Sequence, residues 1–405
     1  MKPKAKQLPL PLRIVGDFVR LEASSGIILF ILAILALVIA NSAWGHAYET
    51  FLDTQIHVYL RQWHFSFTAL FVIDDALMAV FFLLVGLEIK REILLGELNS
   101  LSKVILPAVA AVGGMLVPAG IYIVMNRHDA FALRGWAIPT ATDIAFALGL
   151  MALVGRRAPL PLKLFLMTLA IFDDIGAILI IAVFYLDSLK WAGVIGAMVC
   201  LLLLLLLNHY QYNRLGLYLF IGCVLWACLL QSGLHPTLAG VILALFIPIT
   251  PTAAGPSLLT QLEERLHPWV AYLILPLFSF ANAGVSFQGL HFSHLMGTVP
   301  LGILLGLFVG KQLGVFGTAW IAILFKWAPM PTGSSWLKLY ATAMICGVGF
   351  TMSLFIGQLA FPGLETNYPV LMRFGVLFGS FLSGLLGFLL LYFSPTPLSR
   401  DDHEQ

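Results

Sequence analysis

Charge is what this chain has least of. Of 405 residues only 22 are Lys or Arg and 20 are Asp or Glu, so charged side chains make up 10% of the sequence. A soluble domain carries roughly 25%, and so sparse a supply could not coat a water-exposed surface. The near-balance of charge, +2 overall, includes no basic tract long enough to bind nucleic acid. Cysteine is scarce too. Cys200, Cys223, Cys228 and Cys346 all lie in apolar stretches without paired spacing, which excludes a disulfide framework and reads as buried structural thiols. A Walker-type phosphate loop is also missing. What abounds is long apolar sequence, with 60% hydrophobic residues and a mean hydropathy of +0.96. The chain reads as an integral membrane protein.

About 20 apolar residues cross a bilayer. Candidate spans fall near 25–42, 70–89, 104–125, 131–154, 162–186, 191–207, 215–230, 233–248, 268–287, 301–325, 337–361 and 370–393, which makes twelve. The N-terminus superficially resembles a signal peptide but lacks a small-x-small cleavage site, so a tail over 1–23 and a first span are expected. With both termini cytoplasmic, Lys2, Lys4, Lys6, Arg13, Arg20, Lys90, Arg91, Lys103, Arg156, Arg157, Lys163, Arg214, Arg265, Lys326, Lys338 and Arg400 fall inside. Arg61, Arg127, Arg134, Lys190 and Arg373 fall outside, and this bias obeys the positive-inside rule. Fusing the two short spans 215–230 and 233–248 would spoil it. The fold class is therefore an all-α polytopic membrane protein forming a single domain over 1–405. In the outer segment 43–68, Ile56, Val58 and Leu60 alternate with His57, Tyr59 and Arg61, which suggests a short strand or hairpin, with an irregular loop as the alternative. An isolated hairpin is marginal, so contact with a partner is plausible.

Span 4 reads "WAIPTATDIAFALGL". Pro139 removes a backbone donor, and Thr140, Thr142 and Asp143 follow at once. Span 11 carries a second interruption, "AMICGVGFTMSLF", with Gly347 and Gly349 around Val348. Glycine also serves helix packing, yet the two breaks gain weight together. Each lies in the middle span of a three-span group, 104–186 and 301–393, and the groups enter the membrane from opposite sides. Broken backbone at membrane depth survives only inside protein or along a wet cavity. Paired breaks in inverted repeats point to a transport site.

Few charges lie well inside spans: Asp75, Asp143, Asp173, Asp174 and Lys311. One Asp at the centre of a membrane helix costs about 2.5–3.5 kcal/mol, and "IFDDIGAILI" places two side by side. Neighbours on a helix differ by about 100°, so one acid can face a cavity while the other meets a partner. Asp143 can cap the half-helix that follows it and offset its N-terminal dipole. Lys311 lies too deep to snorkel, and pairing with an acid is the better reading. Carboxylate oxygens suit hard cations, and burial plus a like charge disfavour the ionised form. An acid pair so placed can trade protons for a cation, which is the chemistry of a cation/proton exchanger with no enzymatic step and no cofactor. An intramembrane aspartic protease would need its two acids on separate helices with a Gly-x-Gly-Asp signature, and a cation channel is the other alternative.

The stretches "NSAWG", "DDALMAVFFLLVGLEIKREI", "GWAIPTATDIAFALG", "IFDDIGAI", "SGLHPTLAGVI", "LEERLHPWVAYLILPLFSFANAGVS", "LGLFVGKQLG" and "CGVGFTMSLFI" resemble the NhaA family of bacterial sodium/proton antiporters, from about Ser24 to Gly387. That family is a known case of inverted repeats with broken helices. The resemblance implies an electrogenic, pH-regulated exchanger of sodium or lithium for protons in the bacterial inner membrane, working as a homodimer. It implies that Asp173 and Asp174 are the sodium-site acids, with Asp174 the primary ligand and Asp173 the partner of Lys311. Thr142 and Asp143 match the polar pair at the unwound point, with Asp143 compensating helix N-termini and Lys311 either compensating C-termini or pairing with Asp173. Glu88, Lys90, Arg91 and Glu92, with Glu263 and His267 opposite, match the pH-sensing mouth, and His235 matches a position tied to pH response. Lys90 and Arg91 also serve as positive-inside anchors, and a His in a tight turn is commonly structural.

Overall fold

The computed structural model describes residues 10–60, 63–96, 101–186, 188–250, 256–287, 295–362 and 367–395. Its helices are α1 Leu10–Ala40, α2 Gly45–Leu52, α3 Ala69–Leu95, α4 Leu101–Asn126, α5 Ile144–Val154, α6 Leu160–Phe184, α7 Trp191–His209, α8 Leu215–Ser232, α9 Leu238–Phe246, α10 Leu258–Ala283, α11 Thr298–Leu324, α12 Trp336–Ile345, α13 Phe350–Ala360 and α14 Tyr368–Tyr392. Among the described residues nine helices are long and apolar enough to cross a membrane, or eleven when two bent pairs are each counted as one span. The chain is a multi-pass, membrane-embedded helical protein. Large apolar side chains stand exposed along α1 and α7, among them Ile31, Val38, Trp191, Ile195 and Met198, which is what a lipid-facing surface requires.

Several elements differ from the sequence expectation. α1 begins at Leu10, so much of the supposed tail is helical. Lys2, Lys4, Lys6, Arg61 and Arg400 lie outside the described residues. The segment 233–248 holds only the nine residues of α9, entered through Gly233 in the left-handed conformation. α10 starts at Leu258, about three turns ahead of the span expected from 268, because the Ser257 hydroxyl accepts the Thr260 N–H at 3.2 Å and caps the helix early. The segment 43–68 opens with α2, turned 114° from α1. Strands β1 Gln55–Leu60 and β2 Trp63–Thr68 then pair antiparallel, Gln55 opposite Thr68 and Leu60 opposite Trp63.

Two features set up the centre. First, α4 and α11 cross at Gly113 and Gly314, where a Cβ on either glycine would overlap the other's backbone. Only glycine permits that approach, and one turn before Gly314 it delivers Lys311 to the middle of the molecule. Second, both expected breaks are present. Ala132–Thr140 winds as a 3₁₀ helix that runs into extended backbone at Ala141 before α5 begins. α12 and α13 meet at a 42° bend through Cys346–Gly349. There a Cβ on Gly347 would strike the Leu307 carbonyl and the Ser383 side chain.

Candidate functional site: a buried carboxylate centre at two crossed helix breaks

The two broken spans are stitched to each other. The Asp143 backbone N–H donates to the Val348 carbonyl at 2.7 Å. Asp143 Oδ1 accepts the Phe146 N–H at 3.0 Å and so caps α5. Its Oδ2 accepts from Thr351, both the backbone N–H at 3.0 Å and the hydroxyl. One carboxylate therefore serves the N-termini of two facing half-helices, where orphan N–H groups and dipoles both favour negative charge. The Ser380 hydroxyl takes the two N–H groups left at the start of α13, Gly349 at 3.2 Å and Phe350 at 3.1 Å. Ser353 closes the crossing by donating to the Ile138 carbonyl at 2.7 Å.

Beside this crossing, α6 presents Asp173 and Asp174, which are 1% and 2% exposed. The two acids have separate surroundings, as the helix angle requires. Asp173 Oδ2 receives Lys311 Nζ at 2.5 Å, and both side chains are fully buried. The Thr142 hydroxyl stands 2.6 Å from the same oxygen and 2.9 Å from the Cys346 carbonyl, so its single proton can serve one of them at a time. Asp174 instead lines a cavity of about 40 Å³ together with Glu88, Asp143, His267 and Thr351. That is room for about three waters. Asp173 Oδ1 and Asp174 Oδ1 are buried and have no hydrogen-bond partner among the described residues. Buried carboxylate oxygens without donors are rare in folded proteins, and hard oxygen donors are what a sodium ion seeks.

Glu88, Arg91, Glu92, Glu263 and His267 gather at one end of this cavity and just beyond it. Arg91 bridges Glu263 at 2.8 Å and Glu92 at 3.0 Å. Lys90 does not join them. Its position on α3 turns it toward α9, where Nζ donates to the carbonyls of Leu245 at 2.7 Å and Ile247 at 2.6 Å and caps that short helix. His235 lies elsewhere as well. Its Nδ1 stands 2.7 Å from the Thr237 hydroxyl and its Nε2 3.5 Å from Asp75, and its ring packs edge-on against Phe355 at 5.6 Å.

Two things escape sequence reasoning. One is π-helical backbone at Val72–Leu77, Val270–Ile274, Gly306–Gly310 and Gln312–Phe316. The last two flank Lys311, the first carries Asp74 and Asp75, and the second follows His267 by three residues. Single π turns inside helices commonly mark functional positions. The other is a polar cluster around Asp74, Asn282, Gln358 and Arg373. Its signal was the second adjacent acid pair, "VIDDAL". A separate cavity of about 520 Å³ between α1, α5 and α14 has, among the described residues, no titratable group in its lining.

The chain is similar to known proteins over most of its length. The family model described as Na+/H+ antiporter 1 matches residues 16–391. An Na(+)/H(+) antiporter NhaA from Rhodospirillum rubrum is 55% identical over 392 residues, covering 95% of this chain and 98% of its own length. Proteins of the same name from Pseudomonas putida and Aeromonas hydrophila are 51% and 50% identical, covering 92% and 93% of this chain and 95% of their own lengths. The family match spans the range that contains both helix breaks, the acid pair and Lys311, and relatives at 50–55% identity cover nearly the whole chain: this chain belongs to the Na+/H+ antiporter 1 family.

Proposed function

We propose that the chain is a secondary active, electrogenic antiporter that exports sodium or lithium in exchange for protons across the bacterial inner membrane, by alternating access to Asp173 and Asp174. The observation that carries the reading is the pair of buried, unpartnered carboxylate oxygens, Asp173 Oδ1 and Asp174 Oδ1, beside a cavity that reaches Glu88 and His267. Asp174, on the cavity side, is the first ligand for the cation and the first acid to give up a proton. A cation bound there competes with Lys311 for Asp173, so the Lys311–Asp173 pair opens as sodium enters and closes as it leaves. Thr142 can swing its proton to the Cys346 carbonyl, which leaves its oxygen facing the cation. Moving more than one proton per cation makes the cycle electrogenic.

Twelve spans with both termini cytoplasmic supply the frame, with inverted repeats over about 104–186 and 301–393. The crossing of α4 with α11 and the stitched breaks support that pairing. In this arrangement the cavity faces the cytoplasm, and the Arg91–Glu263 group at its mouth, with His267, adjusts activity to internal pH. The 43–68 segment joins two copies in a homodimer. The test is purified protein in liposomes carrying a pH gradient. Added sodium dissipates the gradient, and Asp174→Asn abolishes the effect while the protein stays folded. Sodium uptake without proton movement would refute antiport, and wild-type exchange by Asp174→Asn would refute the site.

A further inference from the structure

The cavity separates two groups of helices on one side of the molecule, and a polar network joins the same two groups on the other. Phe81, Leu84 and Glu88 of α3 and His267 of α10 stand across the cavity from Asp143, Asp174 and Thr351, which lie in the two repeats. Beyond it comes an aromatic layer. Phe82 of α3 and Phe278 of α10 pack on Phe355 of α13, with ring centroids 5.4 Å and 6.3 Å apart. Farther out, Asp74 of α3 accepts from Asn282 Nδ2 of α10 at 2.7 Å. Asn282 Oδ1 accepts in turn from Gln358 Nε2 of α13. The Asn282 amide, fully buried, is oriented by a second bond to the Phe278 carbonyl at 3.1 Å. Arg373 of α14 supplies positive charge near Asp74. The chain Asp74–Asn282–Gln358 thus crosses from α3 and α10, outside both repeats, to α13, the half-helix that starts at the ion site.

We propose that Asp74, Asn282 and Gln358 form a latch that holds the outer face shut while the carboxylate centre is open to the cytoplasm, and that breaking it accompanies the turn to the outward-facing form. The inference rests on the antiport reading above and adds positioning residues that act on access, not on the ion. The geometry gives it direction. α13 cannot move away from α10 at its outer end without breaking the Gln358–Asn282 bond. Its inner end lies beside Thr351 and the cavity. The aromatic layer beneath the latch closes the route by packing alone, and packing has no fixed partner atoms to lose. The Asn282–Gln358 bond is therefore the specific element whose loss favours opening.

The test separates the two membrane faces. Sodium-dependent proton movement is measured in right-side-out and inside-out vesicles containing the wild type, Gln358→Met and Asn282→Leu. Gln358→Met keeps the side-chain length and removes the donor. Loss of one net hydrogen bond raises the outward-facing population by about two- to tenfold. The half-saturating sodium concentration at the outer face is then expected to fall by about that factor, while the value at the inner face stays level or rises. Asn282→Leu, which removes the acceptor of the crossing bond, is expected to shift both in the same directions, and it decides the matter if Gln358→Met does not fold. Equal changes at both faces, or no change at either, would overturn the latch. Wild-type vesicles without sodium-dependent proton movement in either orientation would instead overturn the antiport reading on which it rests.

Discussion

Lys311 offers the most quantitative test of the centre. Among the described residues its ammonium has one side-chain partner, Asp173 Oδ2 at 2.5 Å, and both residues are sealed from solvent. Removing one member of such a pair leaves a buried charge uncompensated and typically costs about 3–5 kcal/mol. Against a total stability of roughly 5–15 kcal/mol for a folded protein, that loss is large. Asp173 would keep only the Thr142 hydroxyl, a neutral donor shared with the Cys346 carbonyl. Lys311→Met should therefore lower thermal stability in detergent sharply. Replacing a whole buried pair by uncharged groups is often neutral or better, so Lys311→Met combined with Asp173→Asn should recover more than half of the loss. The assay is a double-mutant cycle on unfolding midpoints, with sodium-free buffer throughout. Residues that do not interact add within about 0.5 kcal/mol. Additive single-variant losses would show that the pair is not coupled, and the proposed exchange of Lys311 for sodium at Asp173 would fall with it.

Other outcomes follow from single contacts. Asp143→Ala removes the acceptor for two helix N-termini, each cap being worth about 1 kcal/mol, so unfolding in detergent should shift by about 2 kcal/mol and exceed the effect of Ser380→Ala. Lys90→Ala should destabilise α9, giving faster hydrogen exchange near Leu245 and Ile247, while the pH–activity profile stays put; a shifted profile would return Lys90 to the pH-sensing group. Asp129, in the loop after α4, is held below the usual carboxylate range by the Tyr368 hydroxyl, with further help from the N–H groups of Ala132 and Phe131. A depressed folded-state pKa stabilises above the unfolded value and loses that contribution as pH falls through the folded one. The stability gap between wild type and Asp129→Asn should thus be present at neutral pH and close in acid. It should also be small, because solvent screens this largely exposed group.

Local signals in the sequence reached the centre but not its surroundings. Adjacent acids in "IFDDIGAILI" and the broken runs around Pro139, Gly347 and Gly349 are visible because each violates, within one short stretch, what a lipid-facing helix requires. Lys311 stood out for the same reason. The cluster of Asp74, Asn282, Gln358 and Arg373 could not be assembled this way, since its members come from four helices and only the acid pair in "VIDDAL" carries a local signal. Arg373 had counted only as an outer-loop charge, yet it sits in the second turn of α14. The π turns beside Lys311 have no residue signature, and the second of them contains Gly314 of the Gly113–Gly314 crossing. Lys90 was grouped with its neighbours by proximity in sequence, whereas two residues on a helix differ by about 200° and face different partners.

The claim that sodium and protons compete for the same carboxylate oxygens is tested most directly by titrating sodium into the purified protein in buffers of different ionisation enthalpy. The calorimetric difference counts protons released per sodium bound. At least one proton should leave for each sodium, and both the binding and the release should disappear in Asp174→Asn. Sodium binding with no proton release, or a release unchanged in Asp174→Asn, would contradict the competition.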